Sequence, residues 1–197
     1  RRLLGETVCH HMVQGINKEE IFKTEDNKEK YIELLKKYYK EFKIDIIAYC
    51  IMDNHVHMLL YANDIKQISN FMKNINSIYA MYYNKKTDRV GYVFRNRFKS
   101  VPIMDRKQLY TCIKYIHMNP VKAGKVKEES DYRYSSYNDY LNKTGFIHEE
   151  ILKFIFNSSN NYIEKFQSIE YENSKEEVKI KKALEDFLIK EKLTLEH

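Results

Sequence analysis

Two apolar, β-prone runs, Ile46-Ile47-Ala48-Tyr49-Cys50-Ile51 and Met58-Leu59-Leu60-Tyr61, stand on either side of Asp53-Asn54-His55-Val56-His57. Asp-Asn suits a tight turn and its flanks suit strands, so the spacing predicts a β-hairpin of Ile44–Met52 and His55–Ala62. On a strand, residues i and i+2 share a face with Cα atoms about 6.6–6.8 Å apart. His55 and His57 therefore project together, close enough to converge on one metal ion, and neutral imidazole is the commonest metal ligand near neutral pH. Two histidines satisfied by hydrogen bonds on a half-buried strand would give the same pattern.

Around the hairpin the apolar periodicity predicts further elements. Val8 to Gln14 reads as a strand ending at Gly15. Thr24 or Asp26 can cap a helix to about Phe42, with Ile32, Leu35 and Tyr39 on one face. A second helix, about Ile65 to Asn84, carries Ile68, Phe71, Met72, Ile75, Ile78 and Tyr79. Gly91 introduces a strand from Tyr92 to Met104. Asp105 then caps a third helix to about Met118, with Leu109, Cys112, Ile113 and Ile116 on its stripe.

Strand, helix, two strands, helix, strand, helix is not the alternation of a parallel fold. It predicts an α+β arrangement, an antiparallel sheet with helices packed on it. Beyond Gly124 the chain is increasingly charged and mostly helical, with Ile147 to Phe156 and Glu176 to Lys192 as helices. Ile169 to Ser174 reads as a linker. Residues 1–145 are expected to form one domain and 146–194 a helical C-terminal extension. Leu195-Glu196-His197 resembles the start of a purification tag.

A chain of 197 residues with 43% hydrophobic residues, 17 Tyr and 10 Phe can bury a real core. Five Gly and two Pro argue against a turn-dense sandwich. The formal net charge of +6 and pI near 9.0 suit a polyanionic partner. Cys9, Cys50 and Cys112 are scattered and odd in number, so no disulfide framework or cysteine metal site is expected. No run approaches the roughly 18 apolar residues of a membrane span, and no charged-then-apolar leader opens the chain, so a reduced, cytoplasmic setting is expected.

Lys114-Tyr115-Ile116-His117-Met118-Asn119-Pro120 holds the other chemistry. Tyr115 and Asn119 are four apart and share a face if the helix extends that far. A phenol near a two-histidine metal site could form a phosphoryl-transfer centre, with the metal assisting a group whose ordinary pKa of about 10 makes it a poor nucleophile. Asn119-Pro120 could equally end the helix, since the residue before proline disfavours helical dihedrals. Arg95, Arg97 and Lys99 alternate with Phe94 and Phe98, which on a strand makes either a phosphate-binding strip or a solvated edge face. The Lys-rich runs at 28–43 and 175–192 carry interspersed Glu and read as solvated helix faces.

Taken together, four stretches resemble the single-tyrosine transposases of the HUH nuclease superfamily, and within them the branch associated with repetitive extragenic palindromes (REP). They are Ala48–Leu60 with its His55-Val56-His57, Gly91–Ser100, Tyr115–Gly124, and Asp131-Tyr132-Arg133-Tyr134-Ser135-Ser136-Tyr137. His10-His11-Met12-Val13-Gln14-Gly15, leading to Ile21-Phe22, adds a weaker match, so the resemblance covers about residues 8–140. Gln14 stands where many relatives have arginine, Cys9 where tyrosine is common, and Tyr134 where tryptophan is common.

The resemblance implies a ferredoxin-like antiparallel sheet with the paired histidines on a central strand. It implies metal ligation by His55, His57 and Asn119 and Tyr115 as nucleophile, beside which Arg95, Arg97, Lys99 and Lys122 are the candidate nucleic-acid contacts. The implied activity is metal-dependent cleavage and rejoining of single-stranded DNA beside a hairpin, through a 5′-phosphotyrosine link and a free 3′-hydroxyl. The implied ion is Mg²⁺ or Mn²⁺, although imidazole ligands also favour later metals such as nickel or zinc. A homodimer is compatible with this reading. One alternative is the same fold kept as a nucleic-acid-binding module without cleavage. Another is a His-x-His metal hydrolase, which would need further ligands that His10, His11, His117 and His148 do not visibly supply.

Overall fold

A computed structural model of the chain describes residues 5–95, 99–147, 149–156 and 162–168. Its core is a four-stranded, wholly antiparallel sheet of β1 (Gly5–Gln14), β2 (Asp45–Ile51), β3 (His55–Tyr61) and β4 (Lys99–Ile103). The spatial order is β2-β3-β1-β4. With α1 (Glu25–Tyr38) between β1 and β2 and α2 (Ile65–Thr87) between β3 and β4, this is the split βαβ pattern of ferredoxin-like folds. The α+β expectation holds. Both β–α–β crossovers, right-handed by rule, put α1 and α2 on one face. Tyr31, Phe22 and Tyr79 pack there with ring centroids 4.8 to 5.3 Å apart.

The helix starts follow local chemistry. Thr24 Oγ1 accepts from Asn27 N at the start of α1. Asp64 and Gln67 form a reciprocal capping box at the start of α2, satisfying donors that the helix itself leaves open. α1 stops at Tyr38, short of the expected Phe42, because the chain turns back through Lys43 in the left-handed region, φ 55°. Gly15 ends β1 where the backbone is tightest: a Cβ there would sit 2.3 Å from Glu19 O. Its N–H donates to Asn54 O in the hairpin turn, at 2.9 Å.

α3 (Arg106–Lys122) starts at Asp105 as expected but ends later. Pro120 sits inside its last turn, so Asn119 is helical rather than past the end. Proline removes the N–H that would reach Ile116 O. Asn119 Nδ2 turns back instead, to Tyr115 O at 2.7 Å and Ile116 O at 3.4 Å, and Pro120 itself is buried.

Among the described residues the expected strand Tyr92–Met104 is regular only at β4, and Tyr92–Arg95 stand outside it. Gly15 pairs with Phe94 in an isolated bridge, while Met12 pairs with Lys99. Between these two pairings β1 advances three residues and the facing chain five. Arg95 falls in the bridge segment and Lys99 at the start of β4, while Arg97 lies outside the described residues.

Three short helices follow: α4 (Tyr137–Asn142), α5 (Glu149–Phe156) and α6 (Tyr162–Gln167). α5 packs on α3, with Phe156 stacked on Tyr110 at 5.5 Å and Tyr110 Oη donating to Ile155 O at 2.8 Å. The expected linker 169–174, helix 176–192 and tag-like end lie outside the described residues. None of the described helices is long and apolar enough to cross a membrane.

Candidate functional site

β3 lies between β2 and β1, so both its edges are paired, and its alternation puts His55, His57 and Leu59 on one side. The register sets His55 opposite Gln14, His57 opposite Met12 and Leu59 opposite His10. His10 and His57 are therefore diagonal neighbours on one face. Their rings stack at 5.1 Å, and His10 Nε2 is 3.0 Å from His57 Nδ1.

α3 lies over this same face and brings Tyr115 to the histidines. The Tyr115 ring is 5.4 Å from that of His57 and 5.9 Å from that of His10, edge-on to both. His55 and His57 have centroids 4.8 Å apart. Lys122 Nζ stands 5.5 Å from the Tyr115 ring centre, which puts a positive charge beside the phenol. Asn119, one turn beyond Tyr115, spends its amide nitrogen on the helix backbone and leaves its carbonyl oxygen with lone pairs to offer an ion.

Both imidazoles of the pair are neutral near pH 7. Burial lowers the pKa of His55 to about 4, partly opposed by the Asp53 charge. Burial, followed by repulsion from His55 and His10, holds His57 well below its usual value. His55 Nδ1 lies 2.6 Å from Asn54 Oδ1, an acceptor, so the ring proton belongs on Nδ1 and the Nε2 lone pair is available. His10 can play the same part for His57 by accepting from its Nδ1.

The hairpin turn is anchored on two sides. Asp53 receives Lys28 Nζ from α1 at 2.8 Å and pairs with Lys125, just past α3. Burial would raise the Asp53 pKa, but hydrogen bonds from Lys125 and Lys28 turn the net shift downward. The turn beside His55 and the far end of the Tyr115 helix are thus tied to one carboxylate.

A second anchor comes from residues 132–136, which run along the outer edge of β2. Ile51 N donates to Tyr134 O at 2.9 Å, Ser136 N to Tyr49 O at 3.0 Å, and Tyr132 Oη to Ile51 O at 2.7 Å. Ser136 Oγ accepts from Tyr49 N at 2.9 Å and lies 2.8 Å from Nε2 of buried His117 on α3. Edge strand and helix are held in register through one hydroxyl. The Asp131–Tyr137 motif thereby closes a sheet edge and steadies the helix that carries Tyr115.

The structure brings together His55, His57, Tyr115 and Lys122 of the sequence-predicted residues. Asn119 is on the same helix, hydrogen-bonded to its backbone. Arg95 is near the end of β1, where its N–H donates to Gln14 O at 2.9 Å. His10 was not singled out from the sequence; same-face parity with Gln14 and Met12 on β1 was the available signal, and it needs the strand register to become informative.

Comparison with known proteins agrees with this architecture. The family described as IS200-like transposases matches residues 6–119. A Haemophilus influenzae protein named as a REP-associated tyrosine transposase is 28% identical over 122 residues, which cover 55% of this chain and 69% of that protein. Among solved structures, a REP-associated tyrosine transposase bound to a REP hairpin superposes with a TM-score of 0.59 at 16% identity, over 75% of this chain and 88% of that one.

Proposed function

This chain belongs to the IS200-like transposase family, and on that footing we propose that it cuts and rejoins single-stranded DNA beside a hairpin, with Tyr115 as nucleophile. The observation that carries the reading is the edge-on contact of the Tyr115 ring with His57, 5.4 Å between centroids, on a helix whose C-terminal half is held by Asp53–Lys125 and Ser136–His117.

The donor set fits a divalent cation such as Mg²⁺ or Mn²⁺. His55 and His57 are neutral, side by side, and each has a second-ring-nitrogen partner of the kind that orients metal-bound imidazoles. Among the described residues no group of three His, Cys, Asp or Glu side chains converges, so the Asn119 oxygen is the protein donor best suited to join them. When bound, the ion would neutralise phosphate charge and polarise the phosphorus toward attack. The Tyr115 oxygen forms the new bond to phosphorus while the bond to the 3′ oxygen of the preceding nucleotide breaks. The phenol loses a proton and the 3′ oxygen gains one, leaving a 5′-phosphotyrosine and a 3′-hydroxyl. One phosphodiester replaces another, so the exchange is readily reversible, as strand transfer needs. Lys122 and Arg95 supply cations for the DNA backbone on either side. The hairpin in the solved relative supports a hairpin substrate here.

The test is incubation with a pool of hairpin-bearing single strands and Mn²⁺, followed by denaturing electrophoresis. A protein–DNA adduct that disappears with EDTA and in Tyr115→Phe is expected. DNA binding without an adduct would assign the chain to a binding module of the same fold.

A further inference from the structure

Beyond the site, the most exposed large apolar side chains among the described residues sit together at the tip after α2: Val90 is 96% and Tyr92 84% exposed. The tip is firmly braced. Asn84 Nδ2 donates to Gly91 O at 2.9 Å, Arg89 N to Asn84 O at 2.9 Å, and Arg89 Nη2 to Tyr92 O at 3.4 Å. Arg89 is also paired with Glu19, which accepts from Tyr83 Oη at 3.2 Å. On the other side Val93 is buried and its carbonyl accepts from Ile16 N at 2.9 Å. A backbone held this closely, yet presenting an aromatic ring to water, is arranged for contact rather than for packing.

Its position says what the contact is. Val93, Phe94 and Arg95 adjoin Gln14, Gly15 and Ile16, and Gln14 is opposite His55. Two strand spacings, on the order of 10 Å, separate this segment from His55. That corresponds to about three nucleotides at the 3.4 Å rise of a stacked strand. Arg95 makes no ion pair among the described residues and lies three residues beyond Tyr92. A single strand leaving the His55, His57 and Tyr115 cluster would meet this cation and then the ring. The chain's net charge of +6 favours that partner over an apolar protein surface.

We propose that Tyr92 is a base-stacking platform for the unpaired DNA that flanks the cleavage point, with Val90 as its apolar border. The proposal rests on the single-stranded DNA reading above and deepens it by naming where the flank is held. Stacking on an aromatic ring tolerates any base, so the platform would grip the flank without reading its sequence.

Binding is measured in a Tyr115→Phe background without metal, which separates grip from chemistry. Two fluorescent probes are compared, a blunt hairpin and the same hairpin with a single-stranded flank on each side. Tyr92→Ala is expected to weaken the flanked probe about tenfold, to leave the blunt one within about twofold, and Tyr92→Phe to bind as the parent. With 2-aminopurine walked along the flanks, one position should be quenched by the parent and not by Tyr92→Ala. Equal binding of both probes by Tyr92→Ala and the parent, or equal weakening of both probes, overturns the proposal. So does a change in self-association of the free protein without a change in DNA binding. The adduct assay is independent: a missing adduct with a Tyr92-dependent flank refutes the cleavage chemistry and leaves the platform standing.

Discussion

His10 and His57, on neighbouring strands, are joined ring to ring with Nε2 and Nδ1 3.0 Å apart. Only one proton arrangement of that pair leaves the outer nitrogen of His57 free to ligate: Nδ1–H of His57 donating to His10. Partners of this kind are worth 10- to 100-fold in metal affinity, roughly, when removed. His10→Leu should weaken Mn²⁺ binding within that range in isothermal titration of the Tyr115→Phe protein. His10→Gln, whose amide oxygen can accept the same proton, should recover part of the loss.

Asp53 separates two lysines of unequal burial. Lys28 is 7% exposed at its side chain and Lys125 is 41% exposed. Asp53→Ala strands a nearly buried ammonium, and a stability loss of about 2 kcal/mol is expected by urea denaturation. Lys125→Ala should cost less than about 1 kcal/mol, because an exposed ion pair is well screened. It should nevertheless slow adduct formation, since it frees the end of the Tyr115 helix from the hairpin turn.

Ser136→Ala removes one hydroxyl from three partners: the N–H and carbonyl of Tyr49 and the buried His117 ring. Leaving buried polar groups unpaired costs about 1–3 kcal/mol. A lower thermal midpoint with faster hydrogen exchange at Tyr49 and Ile51 is expected. An unchanged midpoint would show that the edge segment 132–136 is held by its backbone bonds alone.

Acid should destabilise the fold through buried histidines. Burial holds His11 and His117 at about 3, with a smaller contribution from the neighbouring charges of His10 and Lys114 respectively. In the unfolded chain each titrates near its ordinary 6.5. As pH falls below that value the unfolded state takes up protons first, so stability is fully present above about 6.5 and drains away toward 3. The slope is about 1.4 kcal/mol per pH unit for each histidine in that window. His117→Phe should flatten the slope by about one proton's worth in midpoints measured across the window, even though it lowers stability at neutral pH.

Periodicity and caps were readable because they are local. The His55–Tyr61 strand, the Ile65 start of α2 and the Asp105 cap of α3 all follow from residues within a few positions of each other. So did the shared face of His55 and His57, which needs nothing but the pleat. The end of α3 was not, because Asn119's amide and the buried seat of Pro120 outweigh the ordinary rule for a residue before proline. Nor was the true extent of β4, since a five-against-three register depends on where β1 turns at Gly15.

The amino-acid sequence by itself determined the hairpin, the helix stripes and the presence of a phenol and two imidazoles suited to phosphoryl transfer. Tertiary structure alone decided that they meet, that His10 stands behind His57 at a separation of 47 residues, and that Asp53 reaches Lys125 across 72. Such contacts are set by strand register and helix placement, which depend on the packing of the whole core and leave no periodic trace in any one segment.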